Sequence, residues 1–219
     1  MRRLMIILPV LLATGCAGTP GVPVEIPGEA ASPPPAISAT VFGHPAASGF
    51  YSPDAGMTGD VVAQGTFDPK DGTAITYEPQ LVPAGSTAHV TVTRLANGMQ
   101  VRLAVTGMLP LRTYGAHLHT KPCRPDPKGA GPHYQHNPDP MASASPPPAD
   151  PSYANPKNEV WLDFTADRIG AATATAVLTW SFDELTPPRS LVVHASRTRT
   201  EEGFAGTAGA RVACLTLPG

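Results

Sequence analysis

His117 and His119 stand two residues apart in Tyr114-Gly115-Ala116-His117-Leu118-His119-Thr120. On an extended strand both imidazoles project from the same face, and that face can hold one metal ion. His133, in Gly131-Pro132-His133, offers a third ring, and His194, at the end of Ser190-Leu191-Val192-Val193-His194, a fourth. Together they form an all-nitrogen ligand set. Imidazole suits copper, zinc, iron and nickel, so the ligand type narrows the metal without naming it. Arg211, Cys123 and Cys214 in the same chain add a cation and two thiols, which makes a redox-copper site plausible. A His-x-His pair taken alone is also compatible with ordinary hydrogen-bonded imidazoles on a surface or in a core.

The elements that must carry these residues read as strands. Met99, Val101, Leu103 and Val105 alternate with Gln100, Arg102, Ala104 and Thr106, the pattern of a half-buried strand. Val90 and Val92 alternate with polar neighbours just before it, and Asn97-Gly98 between the two runs signals a hairpin turn. Ala174, Ala176, Leu178, Trp180 and Phe182 alternate with Thr173, Thr175, Val177, Thr179 and Ser181, which gives a further strand with one apolar face. No segment of helical length shows a clear helical period. The expectation is an all-β domain over residues 61–219, an antiparallel Greek-key barrel or sandwich of about eight strands with long loops.

What precedes that domain has a different character. Arg2 and Arg3, an apolar run from Leu4 to Leu12 and then Ala13-Thr14-Gly15-Cys16 read as an export signal over residues 1–15 that ends at a lipoprotein cleavage site. The apolar run is too short for a stable transmembrane helix. Cys16 then carries the lipid anchor to the membrane. Residues 16–60 are rich in Ala, Gly, Ser and Pro, include Ser32-Pro33-Pro34-Pro35, and read as a tether with too little apolar area to fold. His44 lies in that tether and outside the ligand set. The mature chain is thus expected outside the cytoplasm, as a cell-envelope lipoprotein or a secreted protein, where a disulfide persists.

The histidine motifs, taken in order, resemble the copper-zinc superoxide dismutase family over roughly residues 74 to 217. The resemblance rests on Gly115-Ala116-His117-Leu118-His119, Gly131-Pro132-His133, Thr165-Ala166-Asp167-Arg168-Ile169-Gly170, Leu191-Val192-Val193-His194 and Gly209-Ala210-Arg211-Val212-Ala213-Cys214. It implies that His117, His119, His133 and His194 ligate copper, that Cys123 and Cys214 form the family's intrachain disulfide, and that Arg211 receives superoxide beside the metal. Cys16 then accounts for the third cysteine.

The family's zinc half does not carry over. Counting back from Thr165-Ala166-Asp167, the expected zinc histidine falls on Lys157 and the expected aspartate on Val160, and neither can bind zinc. His136, Asp139, Asp150, Glu159 and Asp163 are the available substitutes, and their spacing forms no recognisable four-ligand set. His133, the family's bridging ligand, therefore needs a different partner on its outward nitrogen. Tyr134, Gln135 and Asp163 are candidates. The segment between His194 and Arg211 is also shorter than the family's guiding loop.

The whole chain carries a net charge of -2, and removal of residues 1–15 with Arg2 and Arg3 takes it to -4, which leaves no nucleic-acid footprint. Lys121, Arg124, Lys128, Arg197, Arg199 and Arg211 lie near the ligands in sequence and can focus a field on an anion. The function expected from the resemblance is an extracytoplasmic, copper-dependent superoxide dismutase. The alternatives are a non-catalytic copper protein for storage, delivery or sensing on the same fold, and a structural or adhesive module. Oligomeric state has no short motif in this sequence.

Overall fold

The computed structural model describes residues 60–70, 72–141 and 149–218. The export signal, Cys16, His44 and all but the last residue of the tether lie outside them. The described residues form nine strands and one short 3-10 turn, Pro127–Ala130. In chain order the strands are β1 (Asp60–Thr66), β2 (Ala74–Thr76), β3 (Thr87–Leu95), β4 (Gly98–Thr106), β5 (Thr113–His119), β6 (Phe164–Thr165), β7 (Ala172–Leu178), β8 (Ser190–His194) and β9 (Arg211–Thr216). Two antiparallel sheets result, with strand orders β1-β3-β4-β7 and β2-β9-β8-β5-β6. The chain passes from β4 in the first sheet to β5 in the second, and β7 returns to pair with β4, so neighbours in space are not always neighbours in sequence. The all-β expectation holds. Two of the nine strands, β2 and β6, have only three and two residues, too short to leave an alternating pattern.

Alternation explains how the sheets close. Ala88 pairs with Val105, Val90 with Leu103 and Val92 with Val101, so β3 and β4 present one apolar face. Ala172, Ala174, Ala176 and Leu178 of β7 continue it, and Trp180 and Phe182 carry the same face past the end of the strand. Opposite them, Ala116 and Leu118 of β5, Leu191 and Val193 of β8 and Leu215 of β9 complete a common core. The residues between these on β5, β8 and β9 point the other way. Ile75, Cys123, Ala130, Val192 and Cys214 form a second, smaller apolar cluster there.

The hairpin turn sits one residue earlier than its sequence signal suggests. Leu95 pairs with Gly98, so Ala96 and Asn97 make the two-residue loop and Gly98 opens β4. Gly98 has φ of 130°, and a β-carbon added there would lie 1.9 Å from the carbonyl oxygen of Leu178. The glycine is needed where β7 passes, not at the turn itself.

Candidate metal centre

The two-residue spacing on β5 does what extended geometry requires. His117 and His119 lie on the outer face of the second sheet and are both fully buried, while Ala116 and Leu118 between them enter the core. Gly115 shares the histidine face. A β-carbon there would stand 2.7 Å from Ala208 Cβ and from the carbonyl oxygen of Ser196, so only glycine lets the segment after β8 lie across β5. His194 ends β8, paired with Gly115 on one side and Arg211 on the other, at an irregularity in the β8–β9 register. His133 arrives from a loop that runs beside β5: Thr120 N–H donates to Pro132 O at 3.1 Å, and Tyr134 N–H to Leu118 O at 2.8 Å.

These paths bring the four expected histidines together, with one ligand atom from each within 4.8 Å of the others. Ring centroids are 4.1 Å apart for His117 and His133, 4.8 Å for His119 and His133, and 4.9 Å for His117 and His194. Each ring has one nitrogen tied to the protein. His119 Nδ1 donates to Gly131 O at 3.0 Å and His194 Nδ1 to Gly209 O at 3.3 Å. His117 Nε2 donates to Thr198 Oγ1 at 2.6 Å, and His133 Nδ1 contacts Glu159 Oε2 at 2.7 Å. The nitrogens left over are Nδ1 of His117, which is buried without a hydrogen-bond partner, and Nε2 of the other three. His119 Nε2 and His194 Nε2 face each other at 3.4 Å. With both Nδ1 protons donated outward, two lone pairs point at one another, an arrangement that a cation satisfies.

Burial disfavours the charged form of three of the rings. Burial, reinforced by the other histidines and by Arg211, holds His117 and His119 well below the ordinary imidazole range. Burial is the main cause at His194 as well, with His133 and Arg211 adding to it, and lowers that residue to about 3. Neutral imidazole is the metal-binding form.

The supporting residues form two chains. Thr198 Oγ1, which accepts from His117, donates to Asp163 Oδ1 at 2.6 Å, and Thr198 N–H donates to Asp163 Oδ2 at 2.8 Å. Asp163 thus orients His117 through a hydroxyl. On the other side the buried Glu159 carboxylate takes His133 Nδ1 and Trp161 Nε1 on Oε2, each at 2.7 Å, and Gln135 Nε2 on Oε1 at 2.8 Å. This corrects the expected partner of His133. Tyr134 turns its hydroxyl to the Asp183 N–H, Asp163 serves Thr198 and Ala116, and Gln135 reaches His133 only through Glu159. Glu159, Trp161 and Asp163 alternate with the buried Val160, Leu162 and Phe164, a period-two pattern that was present in the sequence as a signal for a shared polar face. Thr198 carried no such signal.

The two positions where the zinc ligands were expected hold neither ligand nor cage. Val160 lies in the core, and Lys157 is exposed with its carbonyl accepting from Trp180 Nε1. Among the described residues no second group of three or more His, Cys, Asp or Glu ligands comes together. The nitrogen of His133 that would face a second metal is engaged by Glu159.

Arg211 opens β9. Its Nη1 donates to Pro127 O at 2.9 Å and its Nη2 to Gly131 O at 2.7 Å, the same carbonyl that accepts from His119. Cys214, three residues on, is bonded to Cys123 with Cα atoms 5.7 Å apart and a sequence separation of 91. A cavity of about 840 Å³ opens over the centre, and His133, His194, Glu159 and Arg211 contribute to its wall. Of the six cations expected to focus charge on the site, only Arg211 lines this cavity. Arg199 instead stacks on Phe204 at 3.7 Å and approaches Glu201 at 3.4 Å.

Residues 86–216 match the family model for copper/zinc superoxide dismutase. No curated protein sequence matches the chain. Among solved structures, a Cu/Zn superoxide dismutase from Brucella abortus is 18% identical, with a TM-score of 0.49, 73% of this chain covered and 99% of that one. A double mutant of a SOD-like protein from Bacillus subtilis is 17% identical, with a TM-score of 0.45, 60% of this chain covered and 89% of that one.

Proposed function

We propose that this chain, which belongs to the copper/zinc superoxide dismutase family, is an extracytoplasmic superoxide dismutase that uses copper alone. The observation that carries the reading is the pair of unprotonated nitrogens of His119 and His194 facing each other at 3.4 Å, with the partnerless Nδ1 of His117 in the same cluster. Four nitrogen-only ligands suit copper. The same residues do not suit zinc as a neighbour, because Glu159 rather than a metal stands behind His133.

When bound, copper supplies a one-electron couple: one superoxide gives up its electron and leaves as dioxygen, and a second takes that electron with two protons and leaves as hydrogen peroxide. The protein's own residues do the rest. Arg211 draws the anion to the ligand cluster and holds it by charge and hydrogen bonds. Thr198 with Asp163, and Glu159 with Trp161 and Gln135, lock His117 and His133 in the rotamers that present one nitrogen inward. In the mature protein Cys16 tethers the domain to the membrane through its lipid, beyond the cytoplasm.

The test is superoxide decay with copper-loaded protein. We expect a rate above that of free copper that falls as salt is added, one copper and no zinc per chain after loading with both metals, and on the order of a tenfold slower reaction in Arg211→Ala at unchanged copper content. Activity no greater than free copper would refute the dismutase. Tight copper binding with an in-cell phenotype indifferent to Arg211→Ala would favour the second reading, a copper store, carrier or sensor, which the missing zinc cage motivates.

A further inference from the structure

The cavity over the histidines contains a cation that sequence spacing did not place there. Arg189 immediately precedes β8 and lines the same cavity as His133, His194 and Arg211. Its backbone is fixed at both ends: the N–H donates to His119 O at 2.8 Å, and the carbonyl accepts from Leu217 N–H at 2.8 Å. The base of the side chain is therefore one hydrogen bond away from the ligand strand β5.

The guanidinium has an unpaired donor. Its Nε is buried with no hydrogen-bond partner, and among the described residues Arg189 forms no ion pair. Three carboxylates also line the cavity, and each is held by other donors. Glu159 takes His133, Gln135 and Trp161; Asp139 Oδ1 takes Met141 N–H; Asp183 Oδ1 takes the N–H groups of Leu185 and Thr186. Arg211, by contrast, already donates two hydrogen bonds to carbonyls. A buried donor without an acceptor is unfavourable unless a ligand completes it, and for a guanidinium that ligand is an anion. The size of the cavity makes a second contact useful, because the pull of Arg211 through water drops below thermal energy within roughly 10 Å.

We propose that Arg189 is a second anion contact of this cavity, a positioning residue that captures superoxide and retains it within reach of Arg211. The proposal rests on the dismutase reading above. The experiment uses the full copper-loaded chain with Arg189→Gln, Arg189→Lys and Arg168→Gln, the last on an exposed turn away from the cavity. Superoxide decay is followed across a salt series, with copper content and denaturation midpoint measured on each protein. Arg189→Gln is expected to lower the low-salt rate constant about two- to fivefold and to flatten its salt dependence, at full copper content. Arg189→Lys should keep the salt dependence, and Arg168→Gln should match the parent. An active parent whose rate and salt slope survive Arg189→Gln overturns the proposal alone. So does a loss in Arg189→Gln that is equal at all salt concentrations, since that marks a structural defect. A parent no faster than free copper overturns this proposal and the dismutase reading together.

Discussion

At the scale of single residues, the centre is defined by which nitrogen each imidazole has given away. His117 points Nδ1 inward while His119, His133 and His194 keep Nε2 free, and the difference follows from what stands behind each ring: a threonine hydroxyl, a carboxylate or a backbone carbonyl. Removing one such support should weaken metal binding without disturbing the fold. Thr198→Val keeps the shape but cuts the link from His117 to Asp163, and we expect copper affinity to fall about tenfold or more, as measured by competition with a chelator. The buried ring of His194 has its own consequence in acid. The unfolded chain takes a proton at His194 below about 6.5, whereas the folded chain does so only near 3, so protons favour unfolding between those values. Metal-free protein should be about 2 kcal/mol less stable at pH 5 than at pH 7 from His194 alone. Denaturant midpoints at the two pH values check this, and equal midpoints would contradict it. His117 and His119 were legible as a pair because a period of two puts both on one face of a strand, and His133 and His194 joined them through the family resemblance of the surrounding motifs. Glu159 as the partner of His133 was not, because the two residues meet only after a loop returns across 26 positions.

At the scale of elements, the strands were readable wherever one face was apolar, as in β3, β4 and β7. They were unreadable where a strand is short or buried on both sides. Strand β6 has two residues, and β8 is buried along its whole length, so neither offers an alternation to detect. The hairpin was located by its Asn-Gly signal but shifted by one residue, since the glycine answers to β7 and not to the turn. That assignment makes a definite expectation. Gly98→Ala should drive a methyl group into the Leu178 carbonyl and destabilise the protein by about 2 to 3 kcal/mol, whereas Asn97→Ala in the loop itself should have a much smaller effect. Denaturation of the two variants side by side separates the explanations.

At the scale of the whole molecule, the Cys123–Cys214 bridge closes a segment that contains β6, β7, β8 and the loop bearing His133. For a separation of 91 residues the chain-entropy model gives roughly 4 to 5 kcal/mol. The double substitution Cys123→Ala with Cys214→Ala should lower the unfolding free energy by up to about that amount, measured by denaturation in the absence of reductant. It should also loosen Arg211, which shares β9 with Cys214. The same molecule keeps its chemistry and its core on opposite sides of the same strands. Ala116 and Leu118 hold the sheets together while His117 and His119 face outward. An inherited substitution that erases a ligand therefore spares the apolar core between the sheets, and a lineage can abandon the chemistry while retaining the architecture. The two-sheet sandwich is thus a scaffold on which activity is free to be lost, or regained, without a passage through an unfolded ancestor.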